Sequence, residues 1–142
     1  LIDEMEKLME HMVSGVTAIA QRAALAAITG PQDCVQEMVA AYRRRRRIVY
    51  EGLNAIAGIT CLKPEATFYA FPNISALGLS SWDFAKYLAK TQKVAVVPGS
   101  IFGQRGEGYV RLSFAADEQK LKDGIRGIER AAARSANSEG KY

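Results

Sequence analysis

Histidine and cysteine are scarce in this sequence. His11 is the only histidine among 142 residues, so a zinc site built from histidines is not expected, and a Ser-His-Asp triad would have to use this one residue. The two cysteines, Cys34 and Cys61, form no Cys-x-x-Cys pair and have no histidine near them in sequence. This usage predicts no metal site and favours free thiols in a reducing cytoplasm, which is the location we expect.

Long apolar runs are missing as well. No stretch approaches the roughly 20 apolar residues that a membrane-spanning helix needs, and the first residues do not have the charged, apolar and small regions of a signal peptide. We therefore expect no membrane partner. A composition of 49% hydrophobic and 24% charged residues is typical of a globular domain with its own core.

The excess of positive charge is small and local. The formal net charge is +4, and the five consecutive arginines at positions 43–47 account for much of it. The run has no aromatic residues within it and falls in a predicted helix with its own apolar face, so no nucleic-acid partner is expected. The apolar face is interrupted at Arg45 or Arg46, and at least one of these side chains should lay its methylene groups along the core.

Periodic apolar residues predict five helices. Three cover residues 1–13, 16–29 and 31–57, and the last of these is long. Ser80 and Asp117 are predicted N-caps, the first for a helix to about Lys90 and the second for a final helix. Residues 136–142 are polar and are predicted to form a frayed tail.

Aromatic and β-branched residues predict strands at 59–62, 67–74, 94–97 and 109–114. Together with the helices, these strands predict an α/β fold of the α+β-like kind. In this fold a mixed or antiparallel sheet of about four strands packs on helices in two layers, after the long helix. Phe68, Tyr69 and Phe71 are expected in the core or on a face of the sheet.

A glycine-rich loop separates the last two predicted strands, and Arg111 lies in the second of them. Gly99, Gly103, Gly106 and Gly108 allow the loop unusual backbone conformations, which suits the rim of a site. The guanidinium of Arg111 could present a rigid fork of donors to a carboxylate or phosphate. On the strand pattern alone, a solvated or ion-paired arginine is the commoner case.

Five segments, in this order, resemble the C-terminal (small) domain of the class I and II pyridoxal-phosphate-dependent aminotransferases, the fold type I group that includes aspartate aminotransferase. The resemblance covers nearly the whole chain. The segments are IAQRAALAA within residues 16–27, YRRRR at 42–46, KPEATFYAFPNI at 63–74, VAVVPGSIFG at 94–103 and GEGYVRLSFA at 106–115.

The resemblance implies a role for Arg111, because the matching arginine in that family binds the α-carboxylate of the amino-acid substrate. It also implies that residues 1–30 are the helical end of a large cofactor-binding domain and that residues 31–135 form the small domain, which closes over substrate. The whole protein is then expected to be a homodimer. It would move an amino group between an amino acid and a 2-oxo acid through pyridoxal phosphate.

The chain departs from the family pattern in two respects. Ala66 stands where the family usually has glycine before the aromatic pair. The lysine that forms the Schiff base, the aspartate that pairs with the pyridine nitrogen and most phosphate ligands belong to the large domain and have no counterpart here. We therefore assign no catalytic or cofactor-binding residue, and we expect these 142 residues alone to be inactive and to carry no covalently bound cofactor.

Other functions remain compatible with the sequence. A pyridoxal-dependent lyase, a decarboxylase or a cofactor-using transcription regulator could contain a similar domain. From a different class, the chain could be a carboxylate-binding or assembly module without catalysis. The apolar faces of residues 1–29, if they normally pack on a large domain, should drive self-association. The preferred amino acid is not encoded in this region.

Overall fold

The computed structural model describes residues 1–136, and nearly all of the tail predicted over residues 136–142 lies outside the described residues. The helices within that range are α1 Ile2–Val13, α2 Ala18–Thr29, α3 Asp33–Asn54, α4 Ser81–Gln92 and α5 Glu118–Ala136. The strands are β1 Tyr69–Ala70, β2 Val97–Pro98 and β3 Val110–Ser113, with short 3₁₀ turns at Ser75–Leu77, Gly99–Phe102 and Gln104–Gly106.

The chain divides into two compact units, of which the first is Leu1–Glu37. This unit contains α1 and α2, and no residue of either helix is buried. The hydroxyl of Thr17 caps α2 by accepting a hydrogen bond from the Ala20 amide. Among residues 1–136 no single helix is long and apolar enough to cross a membrane. Only α1 and α2 taken together reach that length and composition, and they are bent by 105°.

The second unit begins at Met38 and contains a small antiparallel sheet of three strands in the order β1-β3-β2. Tyr69 of β1 pairs with Ser113, and Val97 of β2 pairs with Arg111. The predicted α/β class and the antiparallel pairing are confirmed. Because β3 is central and β2 lies at the edge, Pro98 takes a position where a missing amide donor is tolerated.

The strand predicted over residues 59–62 is wrong. Only Thr60 makes a single bridge, with Asn73, and Leu62 is 91% exposed. The side chain of Asn54 explains the difference, since its amide donates to the Cys61 carbonyl and its oxygen accepts from the Cys61 amide, both at 3.0 Å. With these backbone groups satisfied by a side chain, no neighbouring strand is required.

One core fills the second unit. The sheet contributes Ala70 and Val110 from the face that points toward the helices. The helices contribute fully buried side chains, among them Leu53 of α3 and Phe84 and Leu88 of α4. The helix α5 faces the same core with apolar side chains at helical spacing, namely Leu121, Ile125, Ile128 and Ala132. A two-layer arrangement of sheet and helices follows.

The helix limits follow local hydrogen bonding. Both predicted caps are confirmed: Ser80 Oγ accepts from the Asp83 amide at 3.1 Å, and Asp117 Oδ1 accepts from the Lys120 amide at 2.9 Å. The long helix predicted over 31–57 is shorter, because α3 starts at Asp33 and stops at Asn54. At Asn54 the side chain turns back to the Tyr50 carbonyl and across to Cys61.

Two arginines of the run at positions 43–47 are partly buried, as the interrupted apolar face predicts. Arg45 and Arg46 are half-buried, whereas Arg43, Arg44 and Arg47 are exposed. Arg46 Nη1 donates to the Pro64 carbonyl at 3.2 Å. The guanidinium carbon of Arg45 lies 5.2 Å from the centroid of the Tyr42 ring.

Candidate functional site

Arg111 lies in the central strand, on the face of the sheet that points away from the core. Its neighbour Val110 is buried and Leu112 packs on the core, so the alternation along β3 places Arg111 on the opposite face. We call this the open face. Among residues 1–136 no carboxylate pairs with the Arg111 guanidinium. The half-buried cation is therefore not neutralised by the part of the chain that the structure describes.

Two aromatic rings hold the guanidinium. Its carbon lies 4.3 Å from the centroid of the Tyr69 ring and 4.6 Å from that of Phe102. Tyr69 comes from β1, whereas Phe102 ends the first 3₁₀ turn of the glycine-rich loop. A planar guanidinium that rests on ring faces keeps its N–H donors directed outward, in its own plane.

Further rings extend this surface. Phe71 stacks on Tyr109 with centroids 5.3 Å apart and an interplanar angle of 11°, and it meets Phe102 edge-on at 6.1 Å. Phe68 and Phe71 are 40% and 38% exposed, so neither is a core residue, and both lie just outside β1. The surroundings of Arg111 are thus apolar and aromatic.

The glycine-rich loop folds back on itself. The main chains of Gly99 and Gly106 approach so closely that a Cβ on either residue would collide with the carbonyl oxygen of the other. The Gly99 amide donates to the Tyr109 carbonyl at 2.8 Å, which closes the loop at its base. Glycine is required at both positions because of the space available, independently of φ.

The carboxylate of Glu107 fastens this loop to the start of α4. Ser81 donates to Glu107 twice, from its amide to Oε1 and from its hydroxyl to Oε2, each at 2.8 Å. The hydroxyl of Ser100 lies 3.0 Å from that of Ser81. The Ser81 amide, and after it the Ser81 hydroxyl, stabilise the carboxylate and lower the pKa of Glu107. Sequence reasoning missed this contact, which joins residues 26 positions apart.

The backbone before β1 carries strain at Thr67 and not at Ala66. Thr67 has φ of 64°, an unusual value for a β-branched residue, whereas Ala66 is not among the residues with positive φ. The Thr67 hydroxyl accepts a hydrogen bond from the Tyr69 amide at 3.2 Å. Alanine is therefore tolerated where the family usually has glycine, and the strained residue directly precedes the aromatic pair.

A cleft of about 460 Å³ lies beside this segment, between α3 and residues 64–68. Rings of Tyr42, Phe68 and Phe114 line it together with Arg43, Arg46 and Glu65. Arg111 does not line the cleft. The cleft is next to the surroundings of Arg111, because the ring of Phe68, which lines the cleft, lies 4.5 Å from the ring of Tyr69, centroid to centroid.

The described residues do not form a cofactor cradle. Every lysine among residues 1–136 is exposed, so none has the desolvated setting of a lysine that forms a Schiff base. No group of three or more histidine, cysteine, aspartate or glutamate residues in that range could hold a metal ion. The Arg111 guanidinium has the N–H donors that a carboxylate or phosphate accepts from, and pyridoxal phosphate does not fit the described residues alone.

Comparisons with known proteins agree with the sequence resemblance. The model of the family described as aminotransferase class I and II matches residues 1–128. The aspartate aminotransferase of Pyrococcus horikoshii is 39% identical over 133 residues, which cover 92% of this chain and 34% of the relative. The aromatic-amino-acid aminotransferase 2 of Thermococcus litoralis is 38% identical over 132 residues, with the same two coverages of 92% and 34%.

A solved structure has the same fold. The aromatic aminotransferase of Pyrococcus horikoshii OT3 superposes with a TM-score of 0.86 at 37% identity, covering 95% of this chain and 36% of that chain. The chain therefore spans about a third of the length of the proteins it matches.

Proposed function

The chain belongs to the class I and II aminotransferase family, whose members depend on pyridoxal phosphate, and from this we propose that it is the C-terminal small domain of an aminotransferase. In this proposal the whole protein moves an amino group between an amino acid and a 2-oxo acid. Arg111 binds the α-carboxylate that both substrates carry. The family's cofactor, when bound in the whole protein, would carry the amino group between them.

The environment of Arg111 is the observation that carries the proposal. A half-buried guanidinium with no carboxylate partner among residues 1–136 is costly unless an anion from elsewhere binds it. The rings of Tyr69 and Phe102 fix its plane, and a fixed plane permits two parallel N–H···O bonds to one carboxylate. Such a bidentate grip orients the substrate as well as binding it.

The domain division and the homodimer are inferred from the family. We propose that residues 1–30 are the end of a large cofactor-binding domain and residues 31–135 the small domain. The exposed apolar side chains of α1 and α2, such as Ile2, Ile19 and Ile28, support a surface that packs on other polypeptide. The whole protein would be a homodimer, and the 142-residue chain alone would self-associate. Free Cys34 and Cys61 are in keeping with a reducing cytoplasm.

We further propose that these 142 residues alone do not catalyse the reaction. The exposure of every lysine among residues 1–136 supports this, because a lysine that forms a Schiff base is activated by a desolvated setting or a cationic neighbour. The natural gene product that contains this chain is the protein to assay.

The test is product analysis with that natural gene product. It is incubated with amino acids and a 2-oxo acid, and the products are identified. Its intact mass is measured before and after borohydride reduction. A new amino acid and an equal amount of new 2-oxo acid, together with a phosphopyridoxyl increment in the intact mass, support aminotransfer. Release of ammonia would instead identify a lyase, and release of carbon dioxide a decarboxylase. A natural product of these 142 residues without any adduct would favour the carboxylate-binding module.

Arg111→Ala in the same protein tests the carboxylate grip. The matched control is Arg126→Ala, since Arg126 is an exposed arginine whose guanidinium lies 3.5 Å from Asp123 on its own helix. We expect substrate use to be lost only in the Arg111 variant. Equal activity of both variants would remove Arg111 from the site.

A further inference from the structure

We propose that Phe102 is a positioning residue that holds Arg111 in the orientation needed to receive a carboxylate; this inference rests on the substrate role of Arg111 proposed above. Phe102 does not have to touch the substrate for this role. Its ring centroid lies 4.6 Å from the guanidinium carbon, a distance typical of a cation over a ring face. Tyr69 provides the second ring at 4.3 Å.

The two rings differ in how they are held. Tyr69 is part of the sheet, where it pairs with Ser113, so its place is set by the same strands that set the backbone of Arg111. Phe102 comes from the loop, and the residue is 51% exposed. The sheet therefore fixes one side of the cation's environment, and the loop alone decides whether the second ring is present.

The loop is well anchored for such a purpose. Ser100, two residues before Phe102, contacts the Ser81 hydroxyl, which also donates to Glu107. The base of the loop is closed by the Gly99 amide and the Tyr109 carbonyl. Phe102 is thus attached to a segment that is tied to α4 through Ser100 and Glu107 and is closed at its base by Tyr109, directly before β3. The edge-on contact with Phe71 at 6.1 Å orients its ring further.

Holding the guanidinium in advance strengthens carboxylate binding. A free arginine side chain has many rotamers, and binding an anion in two parallel hydrogen bonds selects one of them. Rings that already restrict the side chain reduce that entropic cost, so the same hydrogen bonds give tighter binding. Loss of Phe102 should weaken the binding of every ligand that uses this carboxylate position, whatever its side chain.

The experiment compares Phe102→Leu, Phe102→Tyr and Ile101→Leu in the natural gene product loaded with its cofactor. Phe102→Leu keeps an apolar side chain but removes the ring face, whereas Phe102→Tyr keeps the ring. Ile101→Leu is the matched control, because Ile101 is the exposed neighbour on the same turn. Steady-state constants are measured for the amino acid and the 2-oxo acid, with inhibition constants for succinate and 3-phenylpropionate, which carry carboxylates but no amino group.

We expect Phe102→Leu to raise both KM values and both inhibition constants by about two- to fivefold, with kcat changed less than twofold. Phe102→Tyr and Ile101→Leu should keep the wild-type constants. The inference is overturned if Phe102→Leu binds carboxylates like wild type. It is equally overturned if Phe102→Tyr is as impaired as Phe102→Leu, since the ring face would then not be the cause.

Arg111→Ala separates this inference from the proposed function. If Arg111→Ala binds succinate and 3-phenylpropionate like wild type, the substrate role of Arg111 is wrong and both proposals fall. If Arg111→Ala loses that binding while Phe102→Leu keeps it, only the role of Phe102 falls.

Discussion

The guanidinium carbon of Arg111 lies 4.3 Å from the centre of the Tyr69 ring. The two residues belong to neighbouring strands, β3 and β1, and occupy the same open face of the sheet. This cation rests on an aromatic ring and has no carboxylate partner among residues 1–136, so its N–H donors remain available to an external anion.

Arg111→Lys should reduce kcat/KM of the natural gene product about 10- to 100-fold, which corresponds to about 1.4–3 kcal/mol. Lysine keeps the charge, but it cannot form two parallel hydrogen bonds or stack as a planar group. Steady-state kinetics with an amino acid and a 2-oxo acid measure the loss. Arg126→Lys serves as the control and should behave as wild type. A lysine variant with undiminished kcat/KM would show that charge alone suffices.

Gly106→Ala should lower the free energy of unfolding of this chain by about 2 kcal/mol or more, because its Cβ would overlap the Gly99 carbonyl oxygen. Gly124→Ala is the matched substitution within α5, where a Cβ meets nothing within 4 Å. It should raise the free energy of unfolding by about 0.5–1 kcal/mol, since alanine favours the helix. Denaturant titration measures both. Similar effects of the two substitutions would contradict the close contact in the loop.

Thr67→Asn should raise the free energy of unfolding by up to about 1 kcal/mol. Asparagine tolerates positive φ better than a β-branched residue, and its side-chain oxygen can accept the Tyr69 amide as the Thr67 hydroxyl does. Ala66→Gly, which restores the residue usual in the family, should lower it by about 0.5–1 kcal/mol, because Ala66 does not have positive φ. If Thr67→Asn is clearly destabilised, the strain is not located at Thr67.

The Glu107 carboxylate should make stability depend on acid pH. Hydrogen bonds from Ser81 lower its pKa below the ordinary value of 4.5. Its stabilising effect is therefore complete above the pKa of the unfolded chain and is lost as the pH falls through the folded-state pKa. Glu107→Gln should lower the midpoint of thermal unfolding at pH 7, and its difference from wild type should shrink at pH 3. Glu129→Gln, at an exposed position on α5, is the control. An equal difference at both pH values would argue against ionisation of Glu107.

Local signals predicted much of this fold. Ser80 and Asp117 cap helices as expected, since an N-cap depends on a side chain and an amide three residues away. The alternation that puts Arg111 opposite Val110 could also be read from the sequence, because a strand repeats every two residues. Such features need only neighbouring residues.

Features that depend on distant residues could not be predicted. The strand expected at 59–62 is absent because Asn54 satisfies the backbone of Cys61, and nothing in the apolar pattern reports that hydrogen bond. The rings around Arg111 were missed for the same reason, since Phe102 reaches it from a loop outside the strands. The sequence pointed to Arg111, but only the three-dimensional structure shows that the Tyr69 and Phe102 rings contact its guanidinium.

The close contact between Gly99 and Gly106 determines which positions of the glycine-rich loop protein engineering can vary. Substitutions at these two glycines would disrupt the backbone of the loop, whereas residues 101–105 lie between them and, apart from Phe102, make few contacts that the strands require. Gly103, between them, has φ of 117° and should also be kept, because side chains are strained at that value. A library that varies residues 101, 104 and 105 and keeps Phe102 and Gly103 should therefore leave the backbone of the loop and the proposed carboxylate site intact. Directed evolution of this family's substrate range could begin at those three positions.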